Sequence, residues 1–230
     1  MKKLKSFFIL FAVILLFTAC DNGKKQQESI KSVEKLEYNE TAKKYKYNIV
    51  IPQINNIESE DISYFNLTMQ EQARLIIDSL QGVTEEMEVS SPYEADISFE
   101  IKENNFGLLS IILKTYTYEG GAHGNTLWDS YNMELKNYSL LNFDTVFNEN
   151  ARDYFNMKIN DLIENRRKVV NTAGDEVIFF ENVEVNIDNA VMYFEGDNVV
   201  FVFPLYELAP YSSGMPVFKF SRKELKNYLK

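Results

Sequence analysis

The stretch ADISFEIKENNFGLLSIILKTYTYEGGAHGNTLWDSYNMEL, residues 95–135, decides the fold. Ala95, Ile97, Phe99 and Ile101 alternate with polar residues, as on a half-buried strand. The polar turn Glu103-Asn104-Asn105 separates this run from a second, 108–118, and the glycine loop YTYEGGAHGNT (116–126) leads into a third strand over 126–135. Two successive turns between three β-rich runs predict an antiparallel meander. Alternation puts Leu127, Tyr131, Met133 and Leu135 on one face of the last strand. Trp128, the only tryptophan, falls on the other with Thr126, Ser130, Asn132 and Glu134. Either that face is covered by a helix or by the rest of the chain, or Trp128 forms an exposed aromatic patch with Tyr116 or Tyr118.

Upstream, YKYNIVIP (45–52) reads as a strand, and over 61–80 the period changes. Phe65, Met69, Ala73, Ile76 and Leu80 then trace one face of a helix. Downstream, Asn150 is the expected N-cap of a helix running to about residue 168, with Asp153 in its first turn and Arg166, Arg167 and Lys168 at its end. EVIFF (176–180), AVMYFE (190–195), NVVFVFPL (198–205) and MPVFKF (215–220) follow as strands, the middle two joined through Gly196 and Asp197. SRKELKNYL (221–229) has capping-box spacing between Ser221 and Glu224 and predicts a short closing helix. The expected fold is α+β, with two similar-sized halves, 45–137 and 138–230, each an antiparallel sheet packed by a helix.

The chain begins with the basic residues Lys2, Lys3 and Lys5 and an apolar run over 7–17, too short for a transmembrane helix, which needs roughly 18 residues or more. The run ends in FTAC, so that small residues precede Cys20, the single cysteine of the chain. This pattern resembles a bacterial lipobox. It predicts a lipoprotein signal peptide over 1–19, an acylated Cys20 and a protein held on a membrane surface outside the cytoplasm. The polar stretch 20–44 is then expected to be a flexible tether.

Loss of the signal peptide removes three lysines and no acids, leaving 21 basic and 34 acidic side chains and a formal charge of −13. Such a surface repels nucleic acid and attracts basic partners. Glu119 and His123 of the loop stand four apart, a metal-ligand spacing only on a helix, and Gly120 and Gly121 oppose a helix. With one histidine and no second cysteine, no zinc set can be completed except from carboxylates. No metal or other cofactor is expected. A phosphate cradle would need a helix after the glycines, where a strand is expected. Acid–base work by His123, with Glu119 or Glu207, stays open as an enzyme alternative, although no nucleophile motif accompanies it.

YTYEGGAHGN (116–125) and FPLYELAPYSSGMPVFKFSRKELKNYL (203–229) resemble a family of bacterial envelope proteins. Its paired domain occurs in the extracellular part of lysozyme-sensing RsiV-type anti-sigma factors and beside the catalytic domain of PdaC-type peptidoglycan deacetylases. The resemblance extends over roughly 45–230 and implies an α+β fold and an extracytoplasmic location. In the deacetylases the chemistry belongs to a separate metal-dependent domain. The resemblance and the lipobox together imply a lipid-anchored binding module more than an enzyme, for a basic protein such as lysozyme or for a cell-wall component. The alternative is a peptidoglycan-associated or unrecognised envelope enzyme. Tyr116, Tyr118, His123, Trp128, Tyr206 and Tyr211 are the candidate contact residues, since aromatic and small polar groups make adaptable binding surfaces.

The anchor is directly testable. Cys20→Ala should shift the protein from the membrane fraction to the soluble or unprocessed pool. Unchanged membrane association, with no acyl mass on Cys20, would refute the lipoprotein reading.

Overall fold

In the computed structural model, which describes residues 33–83, 91–105 and 107–230, the meander is the centre of a six-stranded sheet. The expected signal peptide, Cys20 and the first part of the expected tether lie outside the described residues. The sheet contains β1 (Val33–Thr41), β2 (Tyr45–Ile54), β3 (Tyr93–Asn105), β4 (Leu108–Tyr118), β5 (Asn125–Glu134) and β6 (Leu140–Leu141), adjacent in that order. Residues 33–41, expected to belong to the tether, are instead an edge strand. Alternation explains it: Leu36 and Tyr38 pair with Ile51 and Ile49 and add to the same apolar core.

Between β2 and β3 runs the helix α1 (Glu60–Gln81), as the spacing of Phe65, Met69 and Ala73 predicts. Ser59 caps it by accepting from the Ile62 amide, and Glu60 and Asp61 favour the positive end of its dipole. Because a helix makes this connection, β2 and β3 run parallel, and the sheet is mixed rather than wholly antiparallel as expected. Ile62, Phe65, Met69 and Ala73 pack on Ile49, Ile51, Ile97, Leu109, Ile111 and Leu113. β6 extends the first sheet beyond the expected boundary at residue 137, pairing Leu140 and Leu141 with Met133 and Asn132.

The second half holds α2 (Phe143–Val146), α3 (Ala151–Glu164), β7 (Val170–Asn171), β8 (Val191–Glu195), β9 (Asn198–Val202) and β10 (Pro216–Ser221). Its four strands are antiparallel, in the order β7-β10-β9-β8. The core is aromatic: the Phe155 ring of α3 lies 4.6 Å from Phe201, 5.1 Å from Phe147 and 5.1 Å from Phe220. α3 starts after Asn150 as expected, without a side-chain cap bond. It stops before Arg166, Arg167 and Lys168, because Asn165 bonds back to Asp161 and Arg166 turns into the left-handed region at φ 48°.

Two expected elements differ. Residues 176–180 form no strand beyond a single bridge from Glu176 to Val170; they are a strap tied by Val177 N–H to Val169 and by Phe180 N–H to Leu208. Residues 221–229 have the anticipated Ser221–Glu224 side-chain and backbone bonds, but between the end of β10 at Ser221 and Leu229 they make turns rather than a helix. The bridge between Phe147 and Leu229 draws the segment out before a helix can propagate.

The halves are joined by a seam. β4 is apolar on both faces, so while Leu109, Ile111 and Leu113 meet α1, Ile112 meets Tyr193, Val200, Val202 and Met215 of the second sheet. Inside the seam Ser110 and Asn132, directly opposite each other on β4 and β5, form a buried bond of 2.5 Å. Ser110 Oγ also accepts from the Phe194 amide at 3.1 Å, and Asn132 Nδ2 donates to the Met192 carbonyl at 2.8 Å. These two side chains occupy the backbone groups that β8 presents at its free edge. A register shift between Ile101 and Glu103 on β3 accompanies a third link, in which Glu103 Oε2 accepts from the Gly196 amide at 3.0 Å.

Asn132→Ala leaves Met192 O and Ser110 Oγ without their buried partner. The cost should be about 2 kcal/mol in urea unfolding, the order expected for stranded buried polar groups. A change within about 0.5 kcal/mol, the scatter of surface substitutions, would show that the seam does not depend on this pair.

Candidate functional site

The glycine loop between β4 and β5 and the loop between β9 and β10 meet at one edge of the seam. Gly120 and Gly121 both take φ near +95°, which turns the first loop sharply and prevents a helix, so Glu119 and His123 share no helix face. Tyr118 Oη donates to Gly121 O at 3.1 Å and holds the turn closed. Gly124 is glycine for a steric reason: a Cβ there would stand 2.3 Å from the Tyr116 ring. The buried Gly124 carbonyl then accepts two bonds, from His123 Nδ1 at 2.9 Å and from Tyr211 Oη at 3.2 Å.

The His123 tautomer is set by these partners. A carbonyl oxygen only accepts, so Nδ1 carries the proton and Nε2 is left as an acceptor. Tyr206 Oη, 3.0 Å from Nε2, is its donor. The imidazole is stacked on Tyr211 with centroids 3.9 Å apart and planes at 21°, and Tyr206 tilts against Tyr211 at 5.7 Å. The second loop is rigidly based: Leu208, Ala209 and Met215 are buried, and Ser213 is bonded by Asn171 and Ile178. Tyr206, held at φ 68°, stays 54% exposed on this base.

Five of the six candidate residues are therefore brought to one place: Tyr116, Tyr118 and His123 from the first half, Tyr206 and Tyr211 from the second. Trp128 is not part of the exposed patch. Its ring packs half-buried against the seam cluster of Ile112, Tyr193, Val200, Val202 and Met215, with Lys114 Nζ 4.8 Å from its centroid. Its strand face is covered by the second sheet, whereas Leu127, on the same face as Met133 and Leu135, is 52% exposed because it lies beyond the packed part of β5. Of the acids considered for catalysis, Glu207 accepts from Asn189 at 2.5 Å and Glu119 is exposed. Among the described residues no group of three His, Cys, Asp or Glu side chains converges as a metal site. The arrangement can bind through aromatic faces and phenol hydroxyls, with its one imidazole engaged at both nitrogens.

Comparison with known proteins finds one family match in each part of the chain. Residues 38–126 match the family described as Deacetylase PdaC, and residues 142–223 match a family described as a protein of unknown function, DUF3298. The peptidoglycan-N-acetylmuramic acid deacetylase PdaC of Bacillus subtilis is 24% identical over 138 residues, which are 60% of this chain and 29% of that protein. The chain thus spans less than a third of that relative. A DUF3298 family protein of Pseudomonas aeruginosa shares the fold with a TM-score of 0.61 at 15% identity, over 86% of this chain and 94% of its own. A second, from Bacteroides fragilis, aligns with a TM-score of 0.56 at 15% identity, over 89% and 96%. The first match ends at the start of β5 and the second begins just before α2, and the chain is a paired-domain protein that joins a PdaC-type domain to a DUF3298-type domain.

Proposed function

We propose that this chain is a lipid-anchored, extracytoplasmic binding module of the bacterial envelope, and that its partner is a basic protein such as lysozyme. The observation that carries the reading is the His123–Tyr206–Tyr211 cluster. It is built from both domains, seated on buried residues, and presents aromatic surface to solvent. Rigid aromatic anchors of this kind supply most of the binding energy at protein interfaces. The matched families support a cell-wall-related envelope setting. The signal-cleaved charge of −13 favours a basic partner and speeds its approach. Acid–base chemistry at His123 would first require Tyr206 to leave Nε2, so the enzyme alternative has weaker support.

The test is binding of lysozyme to the full chain in detergent, with cytochrome c as an equally basic control. Association should slow as salt screens the charges over a Debye length of about 8 Å at physiological ionic strength. Tyr206→Ala or Tyr211→Ala should raise the off-rate by roughly thirtyfold, the equivalent of about 2 kcal/mol for an aromatic anchor. Equal binding of cytochrome c, indifferent to both substitutions, would reduce the interaction to nonspecific charge attraction.

A further inference from the structure

Four strands stand at the edges of the two sheets: β1 and β6 in the first, β7 and β8 in the second. An edge strand exposes a row of unpaired backbone groups that can pair with another chain. β6 and β7 are two residues each, too short to template a partner, and the outward groups at the centre of β8 are taken by Ser110 and Asn132. β1 is different. It is nine residues long, pairs with β2 without a register shift, contains neither proline nor glycine, and has no strand on its outer side among the described residues. The second sheet is fastened to β3, β4 and β5 through Glu103, Ser110 and Asn132, two or more strands away.

Hydrogen-bond alternation fixes which residues serve that edge. The Ala42 amide donates to Tyr45 O at 2.8 Å, so residues 42 and 45 are a hydrogen-bonded pair at the hairpin. Such pairs recur at every second residue of an antiparallel ladder. Glu40, Tyr38 and Leu36 therefore bond to β2, and Lys35, Glu37 and Asn39 turn their N–H and C=O groups outward. Pro52, which has no N–H, accordingly falls opposite Lys35, where β2 needs to supply none. A second copy lying antiparallel across a twofold axis must match its outward groups to these, which restricts the registers to those that set odd-numbered residues opposite one another. With Lys35 on the axis, lysine faces lysine; with Glu37 on it, glutamate faces glutamate and Glu34 faces Glu40. With Tyr38 on it, Lys35 meets Thr41 and the charges go unmatched. With Leu36 on the axis, Lys35 of each copy lies opposite Glu37 of the other, and Leu36 meets Leu36 on the face that packs on the α1 core. Lys35 and Glu37 are exposed and make no ion pair within their own copy among the described residues. Charges of one sign would guard such an edge, whereas these select one register.

We infer that a second copy of the chain adds to the first sheet through β1, antiparallel and with Leu36 on the twofold axis. The two six-stranded sheets become one continuous sheet, joined by backbone bonds from Lys35, Glu37 and Asn39 and by two Lys35–Glu37 pairs. The interface uses none of the residues of the aromatic cluster, so neither reading depends on the other.

Sedimentation velocity of the full chain in density-matched detergent tests it, and the expected result is a reversible monomer–dimer equilibrium. Lys35→Glu and Glu37→Lys each set like charges opposite one another at both pairs, so each should raise the dimer Kd by about tenfold or more. The double variant, which exchanges the two charges, should return it to near the wild-type value. Leu36→Cys gives a second reading, because residues facing at a non-hydrogen-bonded pair stand about 4.5 Å apart at Cα, within disulfide reach. Mild oxidation should convert it to a covalent dimer above the background of the wild type, whose one cysteine is Cys20. Glu34→Cys, which faces Tyr38 in this register, should stay at that background. A monomer at every concentration, a dimer insensitive to both charge variants, or cross-linking of Leu36→Cys no greater than that of Glu34→Cys would overturn the proposal.

Discussion

The buried pair formed by Ser110 and Asn132 is the constraint on which the rest of the molecule depends. A second sheet could slide over the apolar face of the first with little change in buried area, because apolar contact is not directional. The hydroxyl and the carboxamide remove that freedom by taking one donor and one acceptor from the edge of β8. Their burial makes any other placement costly, since each shift would leave polar groups without partners. The β8 edge is thereby also closed to strand addition.

Placement of the second sheet carries the β9–β10 loop to the glycine loop. His123 can then accept from Tyr206 only because β8, one strand away from that loop, is fixed to β4 and β5. Gly124 works at the same point for a different reason: it has no Cβ to push Tyr116 away, and its carbonyl gathers His123 and Tyr211. The site is a product of the interface between domains, and neither domain alone presents it.

Local pattern reveals the parts of this architecture that local chemistry sets. The period of Phe65, Met69 and Ala73 gives α1, and the turns around the meander give β3 to β5. Residues 33–41 are misleading because their strand depends on pairing with β2, and polar composition alone suggests a tether. EVIFF is misleading in the opposite sense, being apolar enough for a strand but holding almost no neighbour to pair with. The two loops of the site are recognisable by their glycines and tyrosines, yet the His123–Tyr206 bond links residues far apart in sequence. Trp128 shows the same limit, since alternation places it on the polar face while only the second sheet determines that this face is covered. The parallel pairing of β2 with β3 also requires long-range register, which no local spacing encodes.

The most direct measurement uses the fact that His123 is the only histidine. Its ring nitrogens can be read without ambiguity by 15N NMR at about pH 8.5, where an imidazole is ordinarily neutral. If the domains meet as described, Nδ1 carries the proton, bonded to Gly124 O, and Nε2 shows the shift of an unprotonated acceptor facing Tyr206. Predominance of the Nε2–H tautomer, unaltered by Tyr206→Phe, would contradict the account, because it would mean that Gly124 O and Tyr206 do not hold His123 at the junction of the two domains.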